Sequence, residues 1–384
     1  MKKLLIVNNN MHIGGIQKSL VNLLEEISED YEIDLFLFAN IGELKDSIPK
    51  SVHITEGGFF TQSMGLTHEE SKKKDLPTFL NRSFWTVMTR IFKTKFSFGI
   101  LSRLESIKGE YDCAISFMQN GEERMFYGGC VEFVLNAVKS TQKICFIHCD
   151  FLNYGGNNAY NRKMLERFDK IAAVSDSVGK RLASADERLN GKIYTVRNCC
   201  NRKEIIALSN AYEAEYTHGA INLFSAARLR KEKGIVRMLP ILKRIKENGL
   251  DFVWRIAGDG PDLNTVTNLI ERYNLKENVI LLGRLKNPYP YFKASDIVLV
   301  PSYDEAAPIV YDEAAVFGTQ VFTTDTTSAV EMIADHSRGW VCKNNDEDIE
   351  KQLSDVMRNF KPYKYESEND NNRQAKKQFA ELIG

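Results

Sequence analysis

The sequence predicts an α/β chain of two Rossmann-like halves facing each other across a cleft. Three observations carry this. Short apolar runs the length of a buried parallel strand recur along the chain, as in Asp296-Ile297-Val298-Leu299-Val300. Each run leads into a polar or glycine-containing loop and then, repeatedly, into apolar residues at helical spacing, the order of strand-loop-helix units. The pattern breaks at Asn198-Cys199-Cys200-Asn201, near the middle of 384 residues, enough for two ordinary domains. The expected division is 1–197, 198–360 and a tail, 361–384, whose Phe379, Leu382 and Ile383 could dock a last helix on the first half.

Composition narrows the function classes. The chain is 43% hydrophobic and 27% charged, as in soluble globular proteins. Lys plus Arg and Asp plus Glu number 51 each, so the chain has no global basic field for nucleic acid. No apolar run approaches the ~20 residues of a membrane span. Met1-Lys2-Lys3-Leu4-Leu5-Ile6-Val7 is too short for a signal-peptide core before Asn8-Asn9-Asn10, so it reads as a first strand and the expected location is the cytoplasm. The cysteines (Cys113, Cys130, Cys145, Cys149, Cys199, Cys200 and Cys342) show neither a disulfide framework nor paired CxxC spacing. Cys145, His148, Cys149 and Asp150 could suggest a metal site, but strand alternation turns Cys145 and Cys149 away from His148, so buried thiols and no metal are expected.

In chain order, Lys3 to Asn8 is a central strand running through Gly14-Gly15 into a helix with Leu20, Leu23, Leu24 and Ile27 on one face. Two glycines there let backbone N–H groups approach a phosphate, although Gly-Gly also serves tight turns. Glu32–Phe38 and the short Val52-His53-Ile54 are strands. From Arg82 to Arg103 five basic residues and no acidic ones are interleaved with Phe84, Trp85, Phe92, Phe96 and Phe98. Such a stretch suits an anionic membrane surface; the plainer reading is a core helix with a solvated basic face. Tyr111–Phe117 and Lys143–Asp150 are further strands, the latter ending in His148 and Asp150. Lys170–Ser175, with Ser175 or Asp176 as a helix cap, and Lys192–Val196 complete the first half.

In the second half, Ala220–Ala227 is a strand feeding the basic loop Arg228-Leu229-Arg230-Lys231-Glu232-Lys233-Gly234 and a helix through Ile235, Met238, Leu239 and Leu242. Phe252–Ala257, Val279–Leu285, Asp296–Val300, Gln320–Thr324 and Trp340-Val341-Cys342 are the remaining strands. The chain is organised around Pro301–Ala315. Pro301 and Ser302 stop a strand, and Pro308 suits the first turn of a helix because its missing N–H would be unpaired there. Glu305 stands in the loop and Glu313 in the helix, at the end of the strand where α/β sheets hold ligands. Both could equally be surface acids.

These pieces resemble a known family. "SAARLRKEKG", "IAGDGPD", "VILLGRL", "ASDIVLVPSYDEAAPIVYDEAAVFG" and "EMI" in the second half, with "GGIQKSL", "YDCAISF", "CFIHCDF" and "KIAAVSDSV" in the first, are similar to retaining glycosyltransferases of the GT-B fold, glycosyltransferase family 4. The resemblance implies roles. Arg228 and Lys233 would hold the diphosphate of a nucleotide-sugar, and Glu313 would accept the ribose hydroxyls. Glu305 would contact the transferred sugar, with His148 over it. The backbone at Pro308-Ile309-Val310 would face sugar and phosphate, Gly283-Arg284-Leu285 would pair with the base, and Gly14 and Gly15 would close on the phosphate. It implies a UDP-sugar donor, no cofactor, and a saccharide or lipid-linked saccharide acceptor at the inner face of the cell membrane. The family commonly has Gly-Phe-Gly where this chain has Ala306-Ala307-Pro308, which narrows the backbone freedom beside the sugar. A GT-B subunit without catalysis, or a nucleotide-sugar epimerase, are the alternatives.

Overall fold

The computed structural model describes residues 1–333, 338–365 and 371–384. Residues 366–370 of the expected tail lie outside the described residues. The chain forms two compact units: Met1–Cys199 together with the C-terminal helix Asn371–Ile383, and the intervening chain from Cys200.

The first unit is built on seven parallel strands: β1 (Lys3–Asn8), β2 (Glu32–Leu37), β3 (His53–Glu56), β4 (Tyr111–Ser116), β5 (Ser140–Ile147), β6 (Lys170–Ala173) and β7 (Ile193–Thr195). Their order, β3-β2-β1-β4-β5-β6-β7, reverses direction between β1 and β4, where Leu4 to Val7 pair with Cys113 to Ser116. A sheet wound both ways from its first strand leaves a crevice at the carboxyl ends of the two strands beside the reversal. The helix Gly15–Ile27 buries Leu20, Leu23, Leu24 and Ile27, as its period requires. They share a core with Leu4 and Ile6 of β1, and with Ala375, Phe379, Leu382 and Ile383 of the C-terminal helix.

The second unit repeats the plan with β8 (Ile221–Ala226), β9 (Phe252–Ala257), β10 (Val279–Gly283), β11 (Ile297–Val300), β12 (Gln320–Thr324) and β13 (Gly339–Cys342), in the order β10-β9-β8-β11-β12-β13. Strand alternation splits β11 between two cores. Ile297 and Leu299 pack with the helices Ile235–Glu247 and Asp346–Arg358, while Val298 and Val300 pack with Phe292, Tyr311 and Ala314 on the opposite face. Burial on both faces is why the strand reads as an unbroken apolar run. Pairing between β8 and β11 covers Leu223↔Ile297 and Phe224↔Val298 only, and Ser225 Oγ donates to the Leu299 carbonyl beyond it. The ends of both strands therefore part at the point of reversal.

The sequence reading missed several helices, among them Phe59–Gly65, His68–Lys74 and Cys130–Ala137. It also took Arg82–Arg103 as one interleaved face. In the structure the helix Leu76–Leu104 is interrupted at Lys93 (φ 65°, ψ 170°), and Arg82, Trp85 and Phe98 are buried against the unit. The two terminal nitrogens of Arg82 donate inside, to the carbonyls of Ser63 and Phe126. None of these three can belong to an outward face.

Candidate active site

The two loops at the reversal of the second sheet carry most of the residues singled out in the sequence. After β8 the chain passes Arg228 and forms a short 3-10 turn, Lys231–Lys233, before the helix Ile235–Glu247. Gly234 stands between them at φ 68°, and a Cβ there would lie 1.9 Å from the Pro301 carbonyl oxygen. Glycine is thus required by the backbone conformation and by the close approach of the loop after β11. That approach is reinforced by Tyr303 N–H, which donates to the Glu232 carbonyl at 2.8 Å.

The contact brings Lys233 and Glu305 together. Lys233 Nζ lies 2.6 Å from Glu305 Oε1, and Ser302 Oγ donates to the same oxygen at 2.8 Å. Only 12% of the Glu305 side chain is exposed. The pair fixes a cation and a carboxylate at one spot, and the ammonium keeps N–H donors for a further acceptor. Arg228 is exposed and, among the described residues, makes no side-chain hydrogen bond or ion pair, so its fork is open to an anion.

Pro308 caps the helix Ile309–Val316 without a side-chain hydrogen bond. The first N–H groups of that helix, those of Ile309 and Val310 included, have no partner in its own ladder, and they carry the positive end of its dipole. Glu313 is buried on this helix and accepts from Tyr289 O–H at 3.4 Å. Gly283 ends β10 at φ 67°, and its carbonyl already accepts from Gly258 N–H at 2.8 Å. Gly283 and Arg284 are exposed and Leu285 is half-buried, so this short stretch presents backbone at the carboxyl edge of the sheet.

A cluster around the buried Arg237, behind the Glu305 loop, went unread in the sequence. Arg237 is 6% exposed; its Nε donates to Asp346 Oδ1 at 3.0 Å and one terminal nitrogen to Asn344 Oδ1 at 2.6 Å. The guanidinium stands 4.1 Å over the Tyr303 ring, and Asn344 Nδ2 donates to the Tyr303 carbonyl at 2.9 Å. Ring and main chain of Tyr303 are thereby held two residues before Glu305. A lone arginine in a helix gives no sign of this, because its partners stand more than 60 residues away.

In the first unit, Gly14 caps the helix Gly15–Ile27 in an extended conformation, and a Cβ on Gly15 would meet nothing within 4 Å. Packing does not demand Gly15, which leaves its backbone open to close approach. The loop before it is pinned by His12, whose Nδ1 is 3.3 Å and Nε2 2.7 Å from Glu43 Oε2 and Glu70 Oε1. His148 follows β5 with its ring against Phe117, centroids 4.8 Å apart, and its N–H donates to Gln119 Oε1 at 3.0 Å. Burial pushes the imidazole down to about 3, against a hydrogen bond with the Phe117 backbone that works the other way. His148 is therefore neutral at physiological pH and a weak base. Asp150 is engaged internally: Arg181 Nε lies 2.7 Å from Oδ2, and Leu152 N–H and Asn153 Nδ2 donate to its oxygens. Among the described residues no group of three or more His, Cys, Asp or Glu could hold a metal ion, and all seven cysteines are buried and in no disulfide.

Comparison with known proteins bears on the fold. Residues 215–378 match the family described as glycosyl transferases group 1. The chain is 30% identical over 136 residues to the putative colanic acid biosynthesis glycosyltransferase WcaL of Escherichia coli (strain K12), a match covering 33% of each. It is 26% identical to the protein of the same name from Salmonella typhimurium (strain LT2), over 48% of this chain and 46% of that protein. The matches thus span between a third and a half of these relatives. Among solved structures, Anabaena Alr3699/HepE in complex with UDP and glucose is similar over 100% of this chain and 99% of its own, with TM-score 0.67 and 13% identity. A mutant of S. aureus TarM, in complex with Fondaparinux, alpha-GlcNAc-glycerol and UDP, is similar over 100% and 97%, with TM-score 0.66 and 13% identity. The fold is GT-B, two parallel-sheet Rossmann-like α/β units.

Proposed function

We propose that this protein is a retaining glycosyltransferase of family 4. It moves a hexose from a UDP-sugar to a hydroxyl of a lipid-linked saccharide, in the synthesis of a bacterial surface glycan on the inner face of the cell membrane. The observation that carries this reading is the set of charges at the reversal of the second sheet: Arg228 and Lys233 after β8, with Glu305 and the start of the helix Ile309–Val316 after β11. Residues 198–360 are the donor half in this reading and 1–197 the acceptor half. UDP in the two similar structures and the colanic acid names of two relatives support the choice of donor and product.

The chemistry follows from the charges. Departure of a nucleoside diphosphate builds negative charge while the anomeric carbon becomes oxocarbenium-like. Arg228, Lys233 and the helix N-terminus stabilise that charge where a divalent metal would otherwise serve. Glu305 holds a sugar hydroxyl, and its pairing with Lys233 sets the sugar beside the leaving group. Glu313 takes the ribose, Gly283-Arg284-Leu285 the base, Gly14 and Gly15 the phosphate, and His148 the sugar as a neutral hydrogen-bonding group. With His148 a weak base and Asp150 ion-paired, no group is assigned in this reading to drive an inverting attack, and the leaving diphosphate assists removal of the acceptor proton on its own face.

The test is a panel of nucleotide-sugars scored by thermal stabilisation, then turnover of the best binder in EDTA. Saturation at 100-fold over Kd stabilises by about 2.7 kcal/mol. The expected outcome is stabilisation by a UDP-sugar, turnover that survives EDTA, and an α-linked product from an α-linked donor by the anomeric proton coupling constant. Turnover abolished by EDTA and restored by magnesium, or a β-linked product, contradicts the mechanism.

A further inference from the structure

The helix Leu76–Leu104 is packed inside out. Its buried positions include Thr78, Arg82, Thr89, Thr94, Ser97 and Ser102, polar residues turned toward the protein. The side facing away is apolar. Before the interruption at Lys93, Leu76, Leu80, Phe84, Val87 and Ile91 recur every three or four residues and are each more than half exposed. From Phe92, beside it, Phe96, Ile100 and Leu104 continue at intervals of four, the four side chains from 37% to 54% exposed. The two arms fold back on each other, since Thr89 Oγ1 donates to Ser97 Oγ at 2.7 Å across eight residues of sequence. In a straight helix those residues would stand about 12 Å apart along the axis. A surface helix normally buries its apolar stripe and exposes its polar one. Here the hairpin buries a mostly polar side, with Trp85, Phe98 and Leu101, and still leaves a second apolar face outside; a contiguous apolar face of this kind marks a surface that meets another apolar phase.

Charge selects the phase. The 29 residues contain no Asp or Glu, and Arg90, Lys95 and Arg103 are exposed on them. The acids at either end are turned to internal work: Asp75 accepts from Thr78 N–H as the helix cap, and Glu105 accepts from Gly58 N–H and Thr61. Glu123 is paired with Lys93 at 2.6 Å. An apolar strip accompanied by cations alone matches an anionic bilayer, with the side chains below the headgroups and the cations among the lipid phosphates. Among the described residues no helix is long and apolar enough to cross a membrane, so contact is with one face of it. We infer that the outward face of the helical hairpin Leu76–Leu104, with Phe84, Ile91 and Phe92 at its centre, is the surface by which the protein docks on an anionic bilayer. This rests on the membrane-facing part of the proposed function and is independent of the donor chemistry.

The test is co-sedimentation of the full chain with vesicles of phosphatidylcholine alone and of an equimolar mixture with phosphatidylglycerol, without donor. Two variants accompany the wild type: Phe84→Ser with Ile91→Ser and Phe92→Ser, and Arg90→Glu with Lys95→Glu and Arg103→Glu. The wild type is expected to sediment with the anionic vesicles, less with neutral ones, and each variant to bind at least about tenfold more weakly. UDP affinity and melting temperature should stay at wild-type values, because all six positions face away from the core. A wild type that stays in the supernatant, or variants that sediment like it, overturns the inference. So does light scattering that shows a dimer dispersed by the serine variant without vesicle binding, since the face would then be occupied by a second copy. Loss of UDP binding in the wild type would count against the donor site and leave this surface standing.

Discussion

At the scale of single residues, the proposed site rests on charges that the fold brings together. Lys233 and Glu305, read in the sequence as serving different parts of one donor, pair directly at 2.6 Å. The structure also holds a buried charge that the site does not use. Glu132 is fully buried, accepts from Asn120 Nδ2 at 2.8 Å, and burial raises its carboxyl above the usual carboxylate range. The folded protein therefore holds this proton more tightly than the unfolded chain. Its stabilising effect is complete below the unfolded value, and is lost as pH rises toward the folded one. Glu132→Gln has no proton to lose and keeps an acceptor for Asn120. Its melting temperature should exceed the wild type's at about pH 8 and converge with it near pH 4. Thermal denaturation across that range checks this, and a difference that does not change with pH would contradict it.

At the scale of elements, each strand end is useful only because something holds its loop. Arg237, Asn344 and Asp346 do this for the loop that carries Glu305. Arg237→Ala would leave Asp346 without its cation and the Tyr303 ring without its stacking partner. A stability loss of about 2–3 kcal/mol is expected, and in the variant that remains folded about tenfold weaker UDP-sugar binding. Arg237→Lys should recover part of the stability and less of the binding, since an ammonium lacks the planar fork. Melting temperature and UDP-sugar titration on both variants check this, and unchanged affinity in folded Arg237→Ala would remove the positioning role. The strands themselves were legible: Gln320–Thr324 was read with its bounds, and Ile297–Val300 to within one residue. Period and flanking loops mark them without reference to any partner. The Arg237 cluster and the His12 carboxylates were illegible because their partners are distant in sequence. Over Arg82–Arg103 composition shows that aromatics and cations alternate, but not that Arg82, Trp85 and Phe98 turn inward.

At the scale of the whole molecule, two sheets of the same order each reverse beside their first strand. The second sheet puts Arg228, Lys233, Glu305 and the helix Ile309–Val316 at that one place. Sequence alone could name these residues, through the family resemblance and the positions of loops after strands. It could not show that Lys233 and Glu305 touch, because that depends on β8 and β11 being neighbours across about 70 residues. The central claim is that this place binds the diphosphate of the donor. The most direct measurement is calorimetric titration of UDP into the wild type, Arg228→Ala and Lys233→Ala, with melting temperatures confirming the fold of each. Binding to the wild type is expected, with affinity at least about tenfold weaker in each variant, as for the loss of a charge-assisted contact. Equal affinity in all three folded proteins would contradict it.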